Sequence, residues 1–173
     1  MAPPREHRRS FHKRRYRFWG EFLFDFGRLF KRGARVGDVL AGRSISTDFR
    51  LRLMLTASRV NGCRHCTYHH ARHALRIGVD NDEVEALCRG MIGDCPEREL
   101  PALVYAQHWT AADGCPDPGM RRRFRAAYPR ATADAVELTL RMIRLGNLFG
   151  NSFDYLLFRL SGGRWGLGDR SFR

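Results

Sequence analysis

Residues 61–73 read NGCRHCTYHHARH, and this stretch decides the fold of the chain. Asn61 and Gly62 end one helical pattern, and a second helix begins near Cys63. Cys63 and Cys66 therefore lie in or near the first turn of a helix, where a spacing of two residues lets their sulfur atoms approach each other. The pattern on both sides of this break predicts helices.

The chain before and after the break is also helical in pattern. Thr47 or Asp48 caps a mostly apolar helix that runs to about Val60. Further helices are predicted at about residues 80–88, 97–112 and 119–127, and from Thr132 onward. No stretch shows the strict alternation of a strand with flanking turn signals. We therefore predict an all-α helical bundle over residues 35–173, preceded by a separate N-terminal arm.

The N-terminal arm differs in composition from this domain. The first 17 residues contain seven basic side chains and one acid, so residues 1–17 are predicted to be a disordered basic tail. Residues 18–34 are predicted to form an amphipathic arm helix that Gly33 ends. Its apolar face consists of Phe18, Trp19, Phe22, Leu23, Phe26, Leu29 and Phe30. We expect this face to pack on protein across a subunit boundary, with adsorption to a membrane surface as the alternative.

The whole chain contains 31 lysines and arginines against 18 acids, a formal net charge of +13. Beyond residue 35 the excess falls to about +5 (20 basic minus 15 acidic residues), and no nucleic-acid motif appears there. Contact of the basic arm with nucleic acid or another anion is therefore expected to be non-specific. The sequence excludes a membrane-spanning helix, because no run of 18 apolar residues occurs.

The cysteine count and the N-terminus bear on the compartment. Five cysteines form an odd set, which does not suit the paired framework of a secreted protein. Residues 7–13 read HRRSFHK and mimic a twin-arginine export signal, but acidic and basic residues interrupt the stretch that follows. We therefore expect the protein in a reducing cytoplasm.

Three kinds of chemistry fit the residues around the CxxC spacing. A redox dithiol is the first, because the helix N-terminus, Arg64 and the nearby histidines all stabilise a thiolate. A metal site is the second, because sulfur and imidazole groups are metal ligands. Burial of the cysteines as small apolar side chains is the third. The ligands of the metal alternative would be Cys63, Cys66, His69, His70 and His73.

Two stretches of the chain resemble a known family. Residues 53–70 read LMLTASRVNGCRHCTYHH, and residues 78–87 read GVDNDEVEAL. Both resemble the carboxymuconolactone decarboxylase family, and the CxHCxxxH core resembles its alkylhydroperoxidase D-like branch. The resemblance implies an all-α bundle whose subunits associate into a homo-oligomer.

By this resemblance the protein is a thiol-dependent peroxidase or disulfide reductase, an antioxidant oxidoreductase that cycles between dithiol and disulfide. Cys66 would attack the hydroperoxide, and Cys63 would close the disulfide. His70, four residues after Cys66, and His65 would handle protons. The implied partners are a hydroperoxide substrate and a dithiol or protein reductant, and no cofactor and no metal is predicted. Decarboxylases of the family usually lack the CxxC, so its presence favours thiol redox chemistry.

The chain departs from that branch at one position. The branch carries a glutamate twelve residues before the first cysteine, and here that position is Leu51. Either another acid substitutes, or peroxidase activity is weak, or the substrate differs. The candidate auxiliary residues Asn147, Asn151 and Asp154 form one polar stripe on an otherwise apolar helix. This stripe either lines a pocket that faces the dithiol or makes hydrogen bonds between helices or subunits.

The sequence also allows functions other than turnover of peroxide. One is a catalytically weak redox or structural member of the family, whose cysteines react slowly and stoichiometrically. Another is a membrane-associated or nucleic-acid-associated oligomer that uses its basic arm for weak surface contact.

Overall fold

The computed structural model describes residues 10–167, and within this range the chain forms α-helices and one short 3-10 turn but no strand. The predicted all-α fold is confirmed. The 3-10 turn, Glu97–Glu99, comes directly before the sixth helix. The helices are α1 (Trp19–Phe30), α2 (Gly33–Leu40), α3 (Thr47–Asn61), α4 (Arg64–Arg76), α5 (Asn81–Arg89), α6 (Leu100–Ala111), α7 (Pro118–Ala126) and α8 (Arg130–Leu160).

Helix α3 lies at the centre of the bundle and packs against α4, α5, α6 and α8. Every side chain from Phe49 to Ser58 is buried, because helices surround α3 rather than cover one side of it. Ser46 caps the helix, since its Oγ accepts a hydrogen bond from the N–H of Phe49. Gly62 ends it in the left-handed conformation at φ 65°, which favours glycine. The observed cap therefore lies one residue before the predicted Thr47.

A buried arginine holds α3 in register with its neighbours. Arg52 donates to Asp48 on its own helix, to Glu83 on α5 and to Glu99 in the 3-10 turn. Arg52 and Glu99 are both buried, so each charge depends on the other for compensation. The preceding residue, Leu51, lies in the apolar core. The position where the family branch has its glutamate is therefore part of the packing of the fold.

Helix α8 spans 31 residues, about 46 Å at 1.5 Å per residue. It begins at Arg130, two residues before the predicted cap at Thr132, and Gly146 and Gly150 do not interrupt it. The chain also forms α2 directly after α1, although Gly33 was predicted only to end the arm helix. A glycine indicates the end of a helix where the backbone takes a positive φ, which other residues adopt with strain. The φ of Gly33 is not positive, and Gly33 is the first residue of α2.

Residues 10–17, which we call the N-terminal segment, differ from the disordered tail predicted for residues 1–17. The Phe11 ring contacts the rings of Tyr155 and Phe158 on α8, and the guanidinium of Arg15 lies 3.6 Å from the centroid of the Tyr155 ring. The N–H of Tyr16 donates to Ser152 Oγ at 3.1 Å. Aromatic and hydrogen-bonding contacts with α8 therefore order a segment whose charge alone indicated disorder. The remainder of that prediction, residues 1–9, lies outside the described residues.

Helix α1 leaves most of its apolar face uncovered. Phe22 packs against Phe149 of α8, but Trp19 is 76% exposed and Phe30 is 78% exposed. None of the helices within residues 10–167 has the length and apolar content needed to cross a bilayer.

Candidate dithiol site

The two cysteines of the CxxC spacing lie at the start of α4 with their sulfur atoms 2.6 Å apart. Cys63 is the N-cap residue, and its Sγ accepts a hydrogen bond from the N–H of Cys66 at 3.4 Å. Both are free thiols. Cys63 is 1% exposed, whereas Cys66 is only partly buried. Closure of a disulfide therefore needs no rearrangement of the backbone between them.

The two thiols differ in acidity because they share one hydrogen bond. The hydrogen bond between the two sulfur atoms lowers the pKa of Cys63, and this bond and the N–H of Cys66 together outweigh the burial that opposes them. The same bond, followed by burial, raises the pKa of Cys66. When the pair loses a proton, the negative charge therefore lies on Cys63, at the N-terminus of α4, where the helix dipole stabilises it.

A buried carboxylate lies beside the dithiol. Asp154 on α8 is 0% exposed and accepts hydrogen bonds from Lys13 Nζ at 2.9 Å, from Arg64 Nη2 at 2.7 Å and from His65 Nε2 at 3.1 Å. Burial alone would raise the pKa of Asp154, but these three bonds outweigh burial and hold that pKa below its usual value. Asp154 is therefore a carboxylate at neutral pH.

Lys13 brings the N-terminal segment to this carboxylate. Its Cγ lies 3.7 Å from the place where a Cβ on Gly62 would stand, so its stem covers the turn between α3 and α4. The segment is fixed on both sides of Lys13. Arg14 donates to the backbone carbonyls of Thr110 and Ala111 at the end of α6, and the Arg14 carbonyl accepts from Asn151 Nδ2 at 2.8 Å. Sequence reasoning missed Lys13, because no local signal relates it to a carboxylate 141 residues away.

Helix α8 approaches the sulfur atoms through a glycine. A Cβ added to Gly150 would lie 3.0 Å from Cys63 Sγ and 4.0 Å from Cys66 Sγ. Gly150 therefore allows α8 to pack closely against the dithiol. Gly146, one turn earlier, has no atom within 4 Å of such a Cβ.

The two histidines predicted to handle protons lie in different surroundings. His65 is half-exposed and is hydrogen-bonded to Asp154. His70 is partly buried one turn after Cys66, and its Nδ1 atom has no hydrogen-bond partner among the described residues. Burial lowers the pKa of His70 to about 4, and the nearby His69, His73 and Arg50 act in the same direction. His70 is therefore neutral at pH 7 and able to accept a proton.

The predicted polar stripe on α8 divides into two parts. Asn147 accepts a hydrogen bond from Ser58 of α3 at 3.0 Å, and Asn151 donates to the carbonyl of Asn61 at 2.8 Å. These two amides therefore join helices. The structure brings only Asp154 of this stripe into the charged cluster at the start of α4.

Within residues 10–167 no three His, Cys, Asp or Glu side chains are grouped so that they could hold a metal ion. Cys63 and Cys66 lie together, and the charged side chains that act on Cys63 are Asp154 and Lys13.

Residues 30–111 match the sequence profile of the carboxymuconolactone decarboxylase family. The resemblance to this family seen in residues 53–87 is therefore confirmed over residues 30–111. No curated protein matches the chain. The matched stretch contains α2 to α6, including both cysteines, whereas Lys13, Gly150 and Asp154 lie outside it.

We expect Gly150→Ala to slow the reaction of the dithiol with peroxide severalfold. The new Cβ presses on Cys63 Sγ, which has to move away from its position beside Cys66. Stopped-flow measurement of thiol loss gives the rate. Gly146→Ala, on the same helix, is the matched control and is expected to react at the wild-type rate. Equal rates for the two variants would show that the close approach of α8 does not position the sulfur.

We expect Lys13→Gln to raise the pKa of Cys63 and so to lower its rate of alkylation at neutral pH. The substitution removes a positive charge near the thiolate and leaves the charge of Asp154 less compensated. Alkylation by iodoacetamide, followed as a function of pH, measures this pKa. Lys31→Gln removes the other lysine of the chain, which lies after α1, and is expected to leave the profile unchanged. The same profile for both variants would contradict a role for Lys13.

Proposed function

We propose that the protein is a thiol-dependent peroxidase that reduces hydroperoxides through a Cys63–Cys66 dithiol and disulfide cycle. The observation that carries this proposal is the pair of free sulfur atoms 2.6 Å apart at a helix N-terminus. The match of residues 30–111 to the carboxymuconolactone decarboxylase family supports a link to alkylhydroperoxidase-like proteins. The cluster of Lys13, Arg64, His65 and Asp154 supplies charged and proton-carrying groups beside the pair.

The first step forms a bond between Cys66 sulfur and the peroxide. Cys66 is the more exposed of the two cysteines, and the Cys63 thiolate accepts its proton through their shared hydrogen bond. The Cys66 thiolate then attacks the terminal oxygen of the hydroperoxide, and the oxygen–oxygen bond breaks. The products are a sulfenic acid on Cys66 and an alkoxide, which takes the proton from Cys63 and leaves as an alcohol.

The second step closes the disulfide. The Cys63 thiolate attacks the sulfur of the Cys66 sulfenic acid, and a hydroxide ion leaves and is protonated to water. The sulfur pair has then lost two electrons, and the peroxide has gained them. An external dithiol, either a small molecule or a protein, returns two electrons and two protons to the disulfide and is itself oxidised. A reducing cytoplasm, which the odd cysteine count indicates, would supply such a donor.

Asp154 and His65 take the place of the missing family glutamate in this proposal. The glutamate position is Leu51 in the core of α3, so no carboxylate reaches the site from there. Asp154 reaches the site from α8 and binds the imidazole of His65, two residues after Cys63. His65 can therefore relay the proton of Cys63 to the leaving oxygen, with Asp154 holding the ring in place.

We expect the wild-type protein to consume hydroperoxide catalytically in the presence of a dithiol donor, and Cys66→Ser to abolish turnover. Serine keeps the size of the side chain and removes the nucleophilic sulfur. Consumption of hydrogen peroxide and of an alkyl hydroperoxide is measured against dithiothreitol as donor. Cys115→Ser, at an exposed cysteine outside the site, is the control and is expected to retain activity. Oxidation of one dithiol per protein without turnover would instead identify a non-catalytic redox member of the family.

We expect Asp154→Asn to slow the reaction with peroxide about tenfold, which corresponds to about 1.4 kcal/mol of barrier. The charge of Asp154 raises the pKa of both thiols, so the same variant has more thiolate at a given pH. A slower peroxide reaction together with faster alkylation would therefore show that Asp154 acts on proton transfer and not on the amount of thiolate. Asp134→Asn, near the start of α8, is the matched control. Unchanged single-turnover kinetics in folded Asp154→Asn would leave His70 as the proton-handling group.

We also propose that the exposed face of α1 is covered by a second copy of the chain. Six apolar side chains in this region are at least half exposed in the single chain: Phe18, Trp19, Leu23, Phe24, Phe26 and Phe30. The apolar face of α8 continues this surface at Phe149 and Phe153, and the Phe153 ring lies 6.3 Å from that of His65. A surface of this kind on a free monomer would promote association.

We expect the double variant Trp19→Glu, Phe30→Glu to lower the molecular mass measured by light scattering to that of a single chain. Both side chains are exposed, so the change leaves the fold of one chain intact and acts on association. Met91→Glu, an exposed apolar residue outside α1 and α8, is the control. A monomeric wild type whose α1 binds anionic vesicles in a sedimentation assay would favour the membrane alternative.

A further inference from the structure

A cavity of about 460 Å³ lies between α2, α7 and the N-terminal half of α8. Its volume is in the range of pockets that bind small molecules. Arg141, in its wall, precedes Gly150 by nine residues on α8, a distance of about 14 Å along the helix. The cavity is therefore separate from the dithiol site. Five of its lining side chains are arginines: Arg32, Arg35, Arg121, Arg125 and Arg141.

Ion pairs within the protein account for two of these arginines. Arg121 donates to both oxygens of Glu137, at 2.8 and 3.0 Å. Arg125 donates to Asp134 at 2.7 Å and to Glu137 at 2.9 Å. These two acids line the cavity as well.

The third acid of the lining, Asp38, is bound by Arg43 at 2.7 Å. All three acids of the cavity therefore have arginine partners. No ion pair within residues 10–167 involves the other three arginines, which are Arg32, Arg35 and Arg141. Three positive charges that no acid of the cavity compensates therefore face it.

Arg141 is the most constrained of the three. Its side chain is partly buried, and its Nε atom is buried without a hydrogen-bond partner in the described part of the chain. Arg141 also lines two smaller cavities, of about 210 and 170 Å³, next to the first. Leaving a buried guanidinium donor unsatisfied is costly, and an anion in the cavity would remove this cost.

We propose that this cavity binds a small soluble organic phosphate, with the phosphate group held by Arg32, Arg35 and Arg141. Guanidinium groups present paired N–H donors that match the oxygens of a phosphate. The three non-bridging oxygens of a phosphate monoester can accept from all three arginines, whereas a carboxylate has two oxygens. Val39, Ala135 and Leu138 line the same cavity and provide an apolar wall for the organic part of the ligand.

The shape of the site favours a soluble compound over a lipid headgroup. The arginines come from the turn after α1, from α2 and from α8, so they converge on a concavity between helices rather than on one flat face. Phosphate contact with lipid would involve the same arginines, and the experiment therefore includes both sources.

The probe is phenyl phosphate, titrated into the full-length protein by isothermal calorimetry at low and constant ionic strength. We expect saturable binding at one site per chain, tighter than binding of inorganic phosphate and of benzoate. Arg141→Gln and Arg35→Gln are each expected to weaken binding by about tenfold or more, since each loses charge-assisted hydrogen bonds. Arg123→Gln is the matched control, because Arg123 is exposed on α7 and lines none of these cavities.

Four results would overturn the proposal. The first is the absence of saturable binding of phenyl phosphate to the wild type. The second is equal affinity of the wild type and of Arg35→Gln for phenyl phosphate. Arg35→Gln keeps the buried Arg141 and is therefore expected to fold. Tighter binding of benzoate than of phenyl phosphate would reject the phosphate ligand. Sedimentation with phosphatidylglycerol vesicles that depends on Arg35 and Arg141, without binding of phenyl phosphate, would reject the soluble one. Cys66→Ser is expected to bind phenyl phosphate normally, so the result does not depend on peroxidase activity.

Discussion

The arrangement of the site depends on the hydrogen bonds that compensate the buried carboxylate of Asp154. A fully buried charge is tolerated only when other charges and hydrogen bonds compensate it, and here three partners do so. Lys13 comes from the N-terminal segment, and Arg64 and His65 come from the first turn of α4. One side chain of α8 thus fixes where the N-terminal segment runs and how the helix that carries the dithiol begins.

The same cluster sets the electrostatics around the sulfur atoms. A lone carboxylate would disfavour a thiolate, since Asp154 raises the pKa of both cysteines. Lys13 and Arg64 neutralise it, and the hydrogen bond from Cys66 and the N-terminus of α4 then favour a negative charge on Cys63. Gly150 allows α8 to come close enough for this, because any side chain there would meet the Cys63 sulfur. A carboxylate and a thiolate can therefore lie near each other, because the cations compensate the charge of the carboxylate.

Local signals in the sequence predicted the helices on both sides of the dithiol, but they did not predict how the charged groups around it are arranged. The Asn61-Gly62 break and the CxxC spacing predicted the end of α3, the start of α4 and the nearness of the two sulfur atoms, each of which depends on neighbours in sequence. The contact of Lys13 with Asp154 joins residues far apart in sequence, and it is one of the contacts with α8 that order a segment rich in charge. Asp154 was a candidate because it belongs to the polar stripe on α8. The stripe did not show that Asn147 and Asn151 join helices, whereas Asp154 lies beside the dithiol.

The place of the acid determines which histidine it can serve. In the related branch the glutamate belongs to α3, but in this chain α3 presents Leu51 to the core and commits Arg52 to Asp48, Glu83 and Glu99. Burial, together with His69, His73 and Arg50, lowers the pKa of His70 and keeps its ring neutral. An acid on α8 instead reaches the start of α4, where His65 stands between the two cysteines. The carboxylate of this chain therefore comes from α8, and the imidazole that it pairs with belongs to the turn that contains the dithiol.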